Sequence, residues 1–297
     1  MQRKKNFFTD MKKKKPTASV QKGKFMAEKP QLIKRKPKPK DAPVEKVEIE
    51  KEDLFEDMRL NKYIAHCGVC SRRKAAEMIE KGYVSVNNVI VKEIGHKIVK
   101  GDLVTYNGKI VKPIEKMVYV LMNKPRGVIT TVNDEKDRKT VMHVLGDFEE
   151  RIYPVGRLDR DTCGLLLLTN DGDLAQKLSH PSHMVKKIYI ATLDKPLIAR
   201  HLEKIEKGVE LEDGVALVDS ISYLEPDSKK DVVIEIHIGK NRVVRRIFES
   251  LGYEVTKLDR TYYGGLTKKD LPRGRFRYLT EREVIMLKHF TNRKAKQ

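Results

Sequence analysis

Two arginines and two aspartates crowd into nine residues, Gly156-Arg157-Leu158-Asp159-Arg160-Asp161-Thr162-Cys163-Gly164. The apolar run Leu165–Leu168 follows, and then Thr169-Asn170-Asp171-Gly172. The pattern reads as a polar loop clamped between two buried strands, with glycines at both ends that permit tight turns and the close approach of another backbone. A carboxylate beside arginines is favoured in its charged form. Held on a rigid frame, such a group acts as a nucleophile or a base. Most loop aspartates do no more than cap a turn, and composition alone leaves both roles open for Asp159.

Other chemistry-bearing residues are weaker candidates. Cys67 and Cys70 form a C-x-x-C next to His66. A structural zinc needs four ligands and no second pair stands at the usual spacing, so both thiols are expected to pack at a helix–helix turn and no metal is expected. Cys163 has no histidine beside it in a nucleophile-like pattern. His180 and His183 flank Pro181 on a loop expected to border the cleft. With no G-x-G-x-x-G and no Gly-rich phosphate loop, no nucleotide cofactor is expected.

The elements that must hold these residues fall into two groups. From Arg59 to Cys67 the apolar residues Leu60, Tyr63, Ile64 and Cys67 recur at helical spacing. Ser71 suits the N-cap of a second helix with Ala75, Met78 and Ile79 on one face, and Gly82 stands where a C-terminal glycine belongs. Short strands follow at Tyr83–Val86, Val89–Val91 and Leu103–Tyr106, the last before an Asn107-Gly108 turn. Arg72, Arg73 and Lys74 oppose the dipole of the second helix from its first turn, which suggests a phosphate-contacting face.

Beyond Lys116 the expected strands are Val118–Met122, Ile152–Val155, Leu165–Thr169, Lys187–Thr192, Ala216–Tyr223, Val232–Ile238 and Tyr253–Leu258. Helices are expected near 140–145 and at Asp173–Ser179, Leu197–Lys207 and Val243–Leu251. Many strands with a few helices laid on them indicate an α+β fold. It comprises a small two-helix-plus-sheet module at 58–113 and a mixed, mainly antiparallel β-sheet domain with flanking helices at 117–290. Residues 1–57 read as a disordered basic arm with an acidic linker, and 291–297 as a tail.

The run Gly156-Arg157-Leu158-Asp159 with Thr162, Gly164 and the leucine-rich strand resembles the active-site motif of the rRNA pseudouridine synthases of the RsuA/RluB family. Further matches occur in order. They are Asn123-Lys124-Pro125-Arg126-Gly127-Val128, Lys187-Ile188-Tyr189, Gly239-Lys240-Asn241-Arg242-Val243-Val244-Arg245-Arg246, Leu258, Arg260 and Leu271-Pro272-Arg273-Gly274. The 58–113 module is similar to the RNA-binding domain first seen in ribosomal small-subunit protein four. The resemblance implies cofactor-free isomerisation of a uridine in ribosomal RNA, leaning towards the large-subunit 23S RNA. It implies Asp159 as nucleophile, through a covalent ribosyl adduct or a glycal. Tyr189 would stack on the flipped base and mediate proton transfer at C5, while Arg245 pairs with Asp159. Arg157 would fill the space left by the base, and Lys186, Lys187, Asn241, Arg242 and Arg246 would contact RNA. Arg160 and Val243 depart from the familiar residues at their positions and bear on RNA contacts.

Charge agrees with a polyanionic partner. The 297-residue chain has 62 Lys+Arg against 42 Asp+Glu, a net charge of +20. Residues 1–40 hold 15 basic and 2 acidic side chains, and 41–57 hold 2 and 8. The remaining body is still strongly cationic, which points to nucleic acid. Three cysteines and the lack of a membrane-length apolar run or secretory h-region suit a cytoplasmic protein. The expected partner is ribosomal RNA, naked or in a subunit assembly intermediate, with no membrane and a monomeric chain. A non-catalytic RNA binder has no use for the Asp159, Tyr189 and Arg245 set, and an RNA methyltransferase would need a Gly-rich loop for its methyl donor.

Overall fold

A computed structural model describes residues 57–148, 150–225 and 227–290. The expected basic arm, nearly all of the acidic linker and the tail from 291 lie outside the described residues.

The N-terminal elements are β1 (Met58–Arg59), α1 (Leu60–His66), α2 (Arg72–Glu80), β2 (Val84–Val86), β3 (Val89–Ile90), β4 (Lys97–Ile98), β5 (Val104–Tyr106) and β6 (Lys109–Ile110). β1 pairs with β4, and the other four strands form an antiparallel sheet in the order β3-β2-β5-β6. Ser71 caps α2 by accepting from the Lys74 N–H at 3.2 Å. Asn87-Asn88 and Asn107-Gly108 turn their hairpins with both residues at positive φ, as the twist of a two-residue hairpin demands. Leu60, Ile64, Ala75, Ile79, Val84 and Val104 close a core of their own. Arg72, Arg73 and Lys74 are exposed, with Lys74 3.0 Å from Glu77.

The larger part contains β7 (Tyr119–Lys124), α3 (Val141–Leu145), β8 (Tyr153–Pro154), β9 (Thr162–Thr169), α4 (Gly172–Ser179), β10 (Lys187–Leu193), α5 (Ala199–Glu206), β11 (Ser220–Tyr223), β12 (Asp231–Ile236), α6 (Val243–Glu249), β13 (Val255–Tyr263), β14 (Leu266–Thr267), β15 (Phe276–Tyr278) and α7 (Glu281–Phe290). Its sheet runs β11-β12-β10-β13-β9-β7-β15, with β14 added to β13 and β8 to β9. Among the described strands of this sheet, β13 and β9 alone run parallel. The fold is α+β and mainly antiparallel, as expected.

β9 is buried along all eight of its residues. Leu166 and Leu168 enter one core beside Met122, Tyr189, Ile234 and Phe248, while Leu165 and Leu167 enter a second beneath α4 and α7. A strand covered on both faces needs a continuous apolar run rather than alternation, which is why four leucines stand in series. The segment from Asn123 meets that from Leu271 across β7 and β15. Asn123 donates through Nδ2 to the Leu271 carbonyl at 2.9 Å, and its own carbonyl accepts from the Gly274 N–H at 2.8 Å.

Several boundaries differ from the sequence expectation. β9 starts at Thr162, so Thr162, Cys163 and Gly164 belong to the strand rather than to the loop. β11 is shorter than expected, because Ala216 instead bridges to Val209 in a separate hairpin. β13 runs on to Tyr263, past a bulge where the register skips Thr261, whose hydroxyl donates to the Ile188 carbonyl of β10 at 3.3 Å. β15 and α7 were not anticipated.

Gly164 has φ +105, and a Cβ there would strike the Arg260 backbone and the Asp259 carboxylate. Gly164→Ala is expected to destabilise the fold by roughly 2–4 kcal/mol through backbone strain and steric overlap. Urea unfolding read by circular dichroism measures this.

Candidate active site

Asp159 sits half-buried in the loop between β8 and β9, and backbone hydrogen bonds pin the loop on either side of it. The Thr130 hydroxyl donates to the Leu158 carbonyl at 2.8 Å and lies 3.3 Å from the Leu158 N–H. The Asp159 carbonyl accepts from the Thr162 N–H at 3.1 Å, and the Arg160 carbonyl accepts from the Gly127 N–H at 2.8 Å. The side chain of Leu158 is buried in the core, which turns its neighbours outward.

Beneath the loop lies Lys124, at the end of β7 and without solvent exposure. Its ammonium donates to the carbonyls of Val128 at 2.7 Å, Pro125 at 3.1 Å and Arg160 at 3.3 Å. Burial pulls this lysine down to about 8, against the opposing pull of Cys163, Asp161 and Asp159. One side chain thus ties the Pro125–Val128 turn to the Asp159 loop. Lys124 was read in the sequence as part of a matching motif, with no role assigned to it.

Two guanidinium groups converge on Asp159 Oδ2, Arg242 Nη1 at 3.8 Å and Arg245 Nε at 3.9 Å. These are ion pairs too long for hydrogen bonds. Arg245 is buried on α6 and donates through Nη1 to the Val255 carbonyl at 2.6 Å, while its Nε and Nη2 have no hydrogen-bond partner. Burial and then Arg242 lower the pKa of Arg245, with Asp159 the first of the groups opposing them. Arg242 is exposed, adopts the left-handed conformation at φ 46, and reaches Glu249 at 3.3 Å.

Tyr189 is buried on β10, opposite Ile234 of β12 and Arg260 of β13. Register continues across the sheet, so that Tyr189, Arg260, Gly164 and Lys124 form one row over four strands. Two strand spacings, roughly 10 Å, separate Tyr189 from Gly164. Arg260 is buried, donates from Nε to the Leu165 carbonyl at 2.8 Å and lies 4.5 Å from the Tyr263 ring centroid.

The residues expected to grip RNA divide. Arg157 and Asn241 are exposed, as are Arg72 and Arg73. Lys187 is turned inward: its ammonium donates to the carbonyls of His237 at 2.7 Å and Val185 at 3.0 Å, and burial lowers it to about 8. Lys186 is paired with Glu235 at 2.6 Å. Arg246 forks onto Asp213 with two bonds of 3.0 and 2.9 Å, and that hydrogen bonding holds the Asp213 carboxyl below its usual range. In these three the cation already has protein partners, a setting that sequence spacing does not reveal. Cys67 and Cys70 are half-buried free thiols, and no group of three metal-ligating side chains gathers among the described residues. Nor is any helix among them long and apolar enough to cross a membrane.

Comparison with known proteins bears on the same residues. Residues 118–250 match the RNA pseudouridylate synthase family and 58–104 match the S4 domain. The ribosomal large subunit pseudouridine synthase B of Bacillus subtilis is 46% identical over 233 residues, covering 77% of this chain and 95% of that protein. The chain belongs to the RNA pseudouridine synthase family. A second family member, the dual-specificity RNA pseudouridine synthase RluF of Escherichia coli, is 36% identical over 77% of this chain and 78% of its own length. A crystal structure of a pseudouridylate synthase superposes with a TM-score of 0.57 at 29% identity, covering 77% of this chain and 99% of that one. The family's reaction makes this synthase an isomerase that converts uridine in RNA to pseudouridine.

Lys124 and Lys187 both fall from the ordinary lysine value of 10.5 to about 8 in the folded chain. The unfolded chain therefore binds these protons more tightly, and the contribution of the pair to stability rises as pH climbs from about 8 towards 10.5. Urea unfolding of Lys124→Met between about pH 7.5 and about pH 9.5 is expected to show a smaller rise with pH than the parent protein. An undiminished slope counts against a depressed Lys124.

Proposed function

We propose that this synthase isomerises a uridine of large-subunit ribosomal RNA, with Asp159 as nucleophile and Tyr189 and Arg245 as its partners. The observation that carries the reading is a pinned carboxylate facing two guanidinium groups at 3.8 and 3.9 Å. The target base must first leave its stack, as in other enzymes that work on bases. Asp159 then acts at C1′ of the ribose as the bond to N1 breaks, by a covalent adduct or by way of a glycal. The freed uracil turns and rejoins through C5, whose proton is lost with the help of Tyr189. The ring of Tyr189 offers a stacking surface, and its place between β12 and β13 keeps that surface fixed. Arg245 faces the carboxylate from 3.9 Å, and its Nε and Nη2 make no hydrogen bond.

The large-subunit assignment draws support from the Bacillus subtilis relative, a large-subunit synthase at 46% identity. Residues 58–113 and 117–290 act as two domains in this reading, each built around its own core. The first grips folded RNA by shape and phosphate through Arg72, Arg73 and Lys74. Arg157, Asn241 and Arg242 contact RNA around the reacting nucleotide. The chain works as a cytoplasmic monomer on naked rRNA or on a subunit assembly intermediate, and needs no cofactor.

Asp159→Asn is expected to abolish pseudouridine formation in an rRNA transcript while RNA affinity stays within about twofold, since the change removes a charge and little shape. Pseudouridine formed by that variant at the parental rate refutes the site. Deleting residues 1–40 is expected to weaken RNA binding most at low salt and to flatten the dependence of log affinity on log salt, because the arm's lysines act through counterion release. An identical slope with and without the arm shows that it takes no part.

A further inference from the structure

The hairpin before β11 contributes nothing to the site as read from motifs, yet it is fastened to the helix whose N-cap and first turn supply the two arginines of Asp159. Val209 and Ala216 exchange backbone hydrogen bonds of 3.1 and 2.8 Å across it, and Asp213 stands exposed near its tip. α6 starts badly. Its N-cap is Arg242 in the left-handed conformation, and no side chain accepts from its first N–H groups. Lys240, Arg242, Arg245 and Arg246 lie within seven residues, the first three at this end and Arg246 in the last turn of the helix. The helix dipole acts against the cations at the start, and mutual repulsion acts across the whole cluster.

Asp213 offsets the repulsion. Its carboxylate takes the Arg246 guanidinium in a two-bond fork at 3.0 and 2.9 Å, and Arg246 Nε in turn donates to the Asn241 carbonyl at 2.9 Å. Lys240 donates to the carbonyls of Asp213 at 2.6 Å and Gly214 at 2.7 Å. The cations on either side of Arg242 and Arg245 are therefore both anchored to one hairpin. The left-handed turn at Arg242 is held from outside the helix.

We propose that Asp213 is a positioning residue, which by anchoring Arg246 and Lys240 sets the start of α6 and so presents Arg242 and Arg245 to Asp159. This rests on the reading of Asp159 as nucleophile. It also gives Arg246 and Lys240 a duty other than holding phosphate: an incoming phosphate would have to displace a two-bond carboxylate and a set of carbonyls. A rival role, in which Asp213 covers two RNA-binding cations until RNA arrives, makes the opposite forecast for affinity.

The test uses the full chain and an rRNA transcript under single turnover. Asp213→Ala is expected to slow pseudouridine formation at saturating RNA about tenfold, as displacement of a catalytic group by a fraction of an ångström does, with RNA affinity within twofold. Asp213→Glu, which restores the charge, recovers most of the rate. Arg246→Ala matches Asp213→Ala, and the double variant is no slower than either single one, because the two act as one contact. Hydrogen exchange at the amides of 243–247 quickens in Asp213→Ala. An unchanged rate, tighter or weaker RNA binding without a rate change, or losses that multiply in the double variant overturn the proposal. Asp159→Asn in the same assay separates the two readings. Activity retained there refutes the site, whereas an inactive Asp159→Asn beside a fully active Asp213→Ala refutes the positioning role alone.

Discussion

A charged ammonium sealed from water beneath a loop is costly, and Lys124 is tolerable only because carbonyl oxygens surround it. Desolvation of such an ion costs several kcal/mol, which charge-assisted hydrogen bonds offset when the geometry is good. The consequence is rigidity. If the Arg160 carbonyl or the Pro125–Val128 turn moves away, a buried cation loses a partner, so the loop carrying Asp159 is held by the penalty for leaving as much as by the bond itself. A catalytic carboxylate must sit within a fraction of an ångström of its working position. On the reading proposed for Asp159, this requirement is met from below, by a side chain sealed from solvent.

The sheet extends the same logic sideways. Register sets Tyr189, Arg260, Gly164 and Lys124 in one row, so an aromatic ring, two buried cations and a gap without a side chain are fixed relative to one another by backbone hydrogen bonds. Gly164 is required where the Arg260 backbone comes too close for any Cβ. The bulge at Thr261 falls beside Tyr189, at the place where a strand must re-aim its side chains. Two separate cores, one on each face of β9, keep the row from shifting.

Much of this was legible in the sequence, and the reasons differ by element. The α1–α2 pair was legible because its apolar spacing, the Ser71 cap and Gly82 all agree. The hairpins showed through Asn-Asn and Asn-Gly. β9 was legible as a run of leucines, but its start at Thr162 was hidden. Polar residues that pair with a neighbouring strand look like loop until that strand is known, and its partner β13 lies far along the chain. β15 is a three-residue strand at the sheet edge with weak local signal. The carboxylate was legible through motif resemblance far more than through composition, since an aspartate beside arginines also describes an ordinary turn.

The allocation of cations was the least legible part, and it bears most on how RNA meets this synthase. A lysine or arginine in a motif reads the same whether it points at a phosphate or at a backbone carbonyl. Lys124 and Lys187 both stand on strands and end on carbonyls, so they stiffen the site. Arg246 ends on Asp213, while Arg157 and Arg242 remain at the surface around Asp159. A polyanion drawn in by the overall positive charge therefore meets, beside Asp159, only part of the cations that the motifs contain. The excess charge sets the rate and salt dependence of encounter, which are long-range properties. On the proposed reading, the position of one nucleotide against Asp159 is left to a small number of groups, of which Arg245 is placed by a buried bond. On that reading, separating attraction from alignment lets a strongly cationic chain hold RNA without its many lysines competing for Asp159.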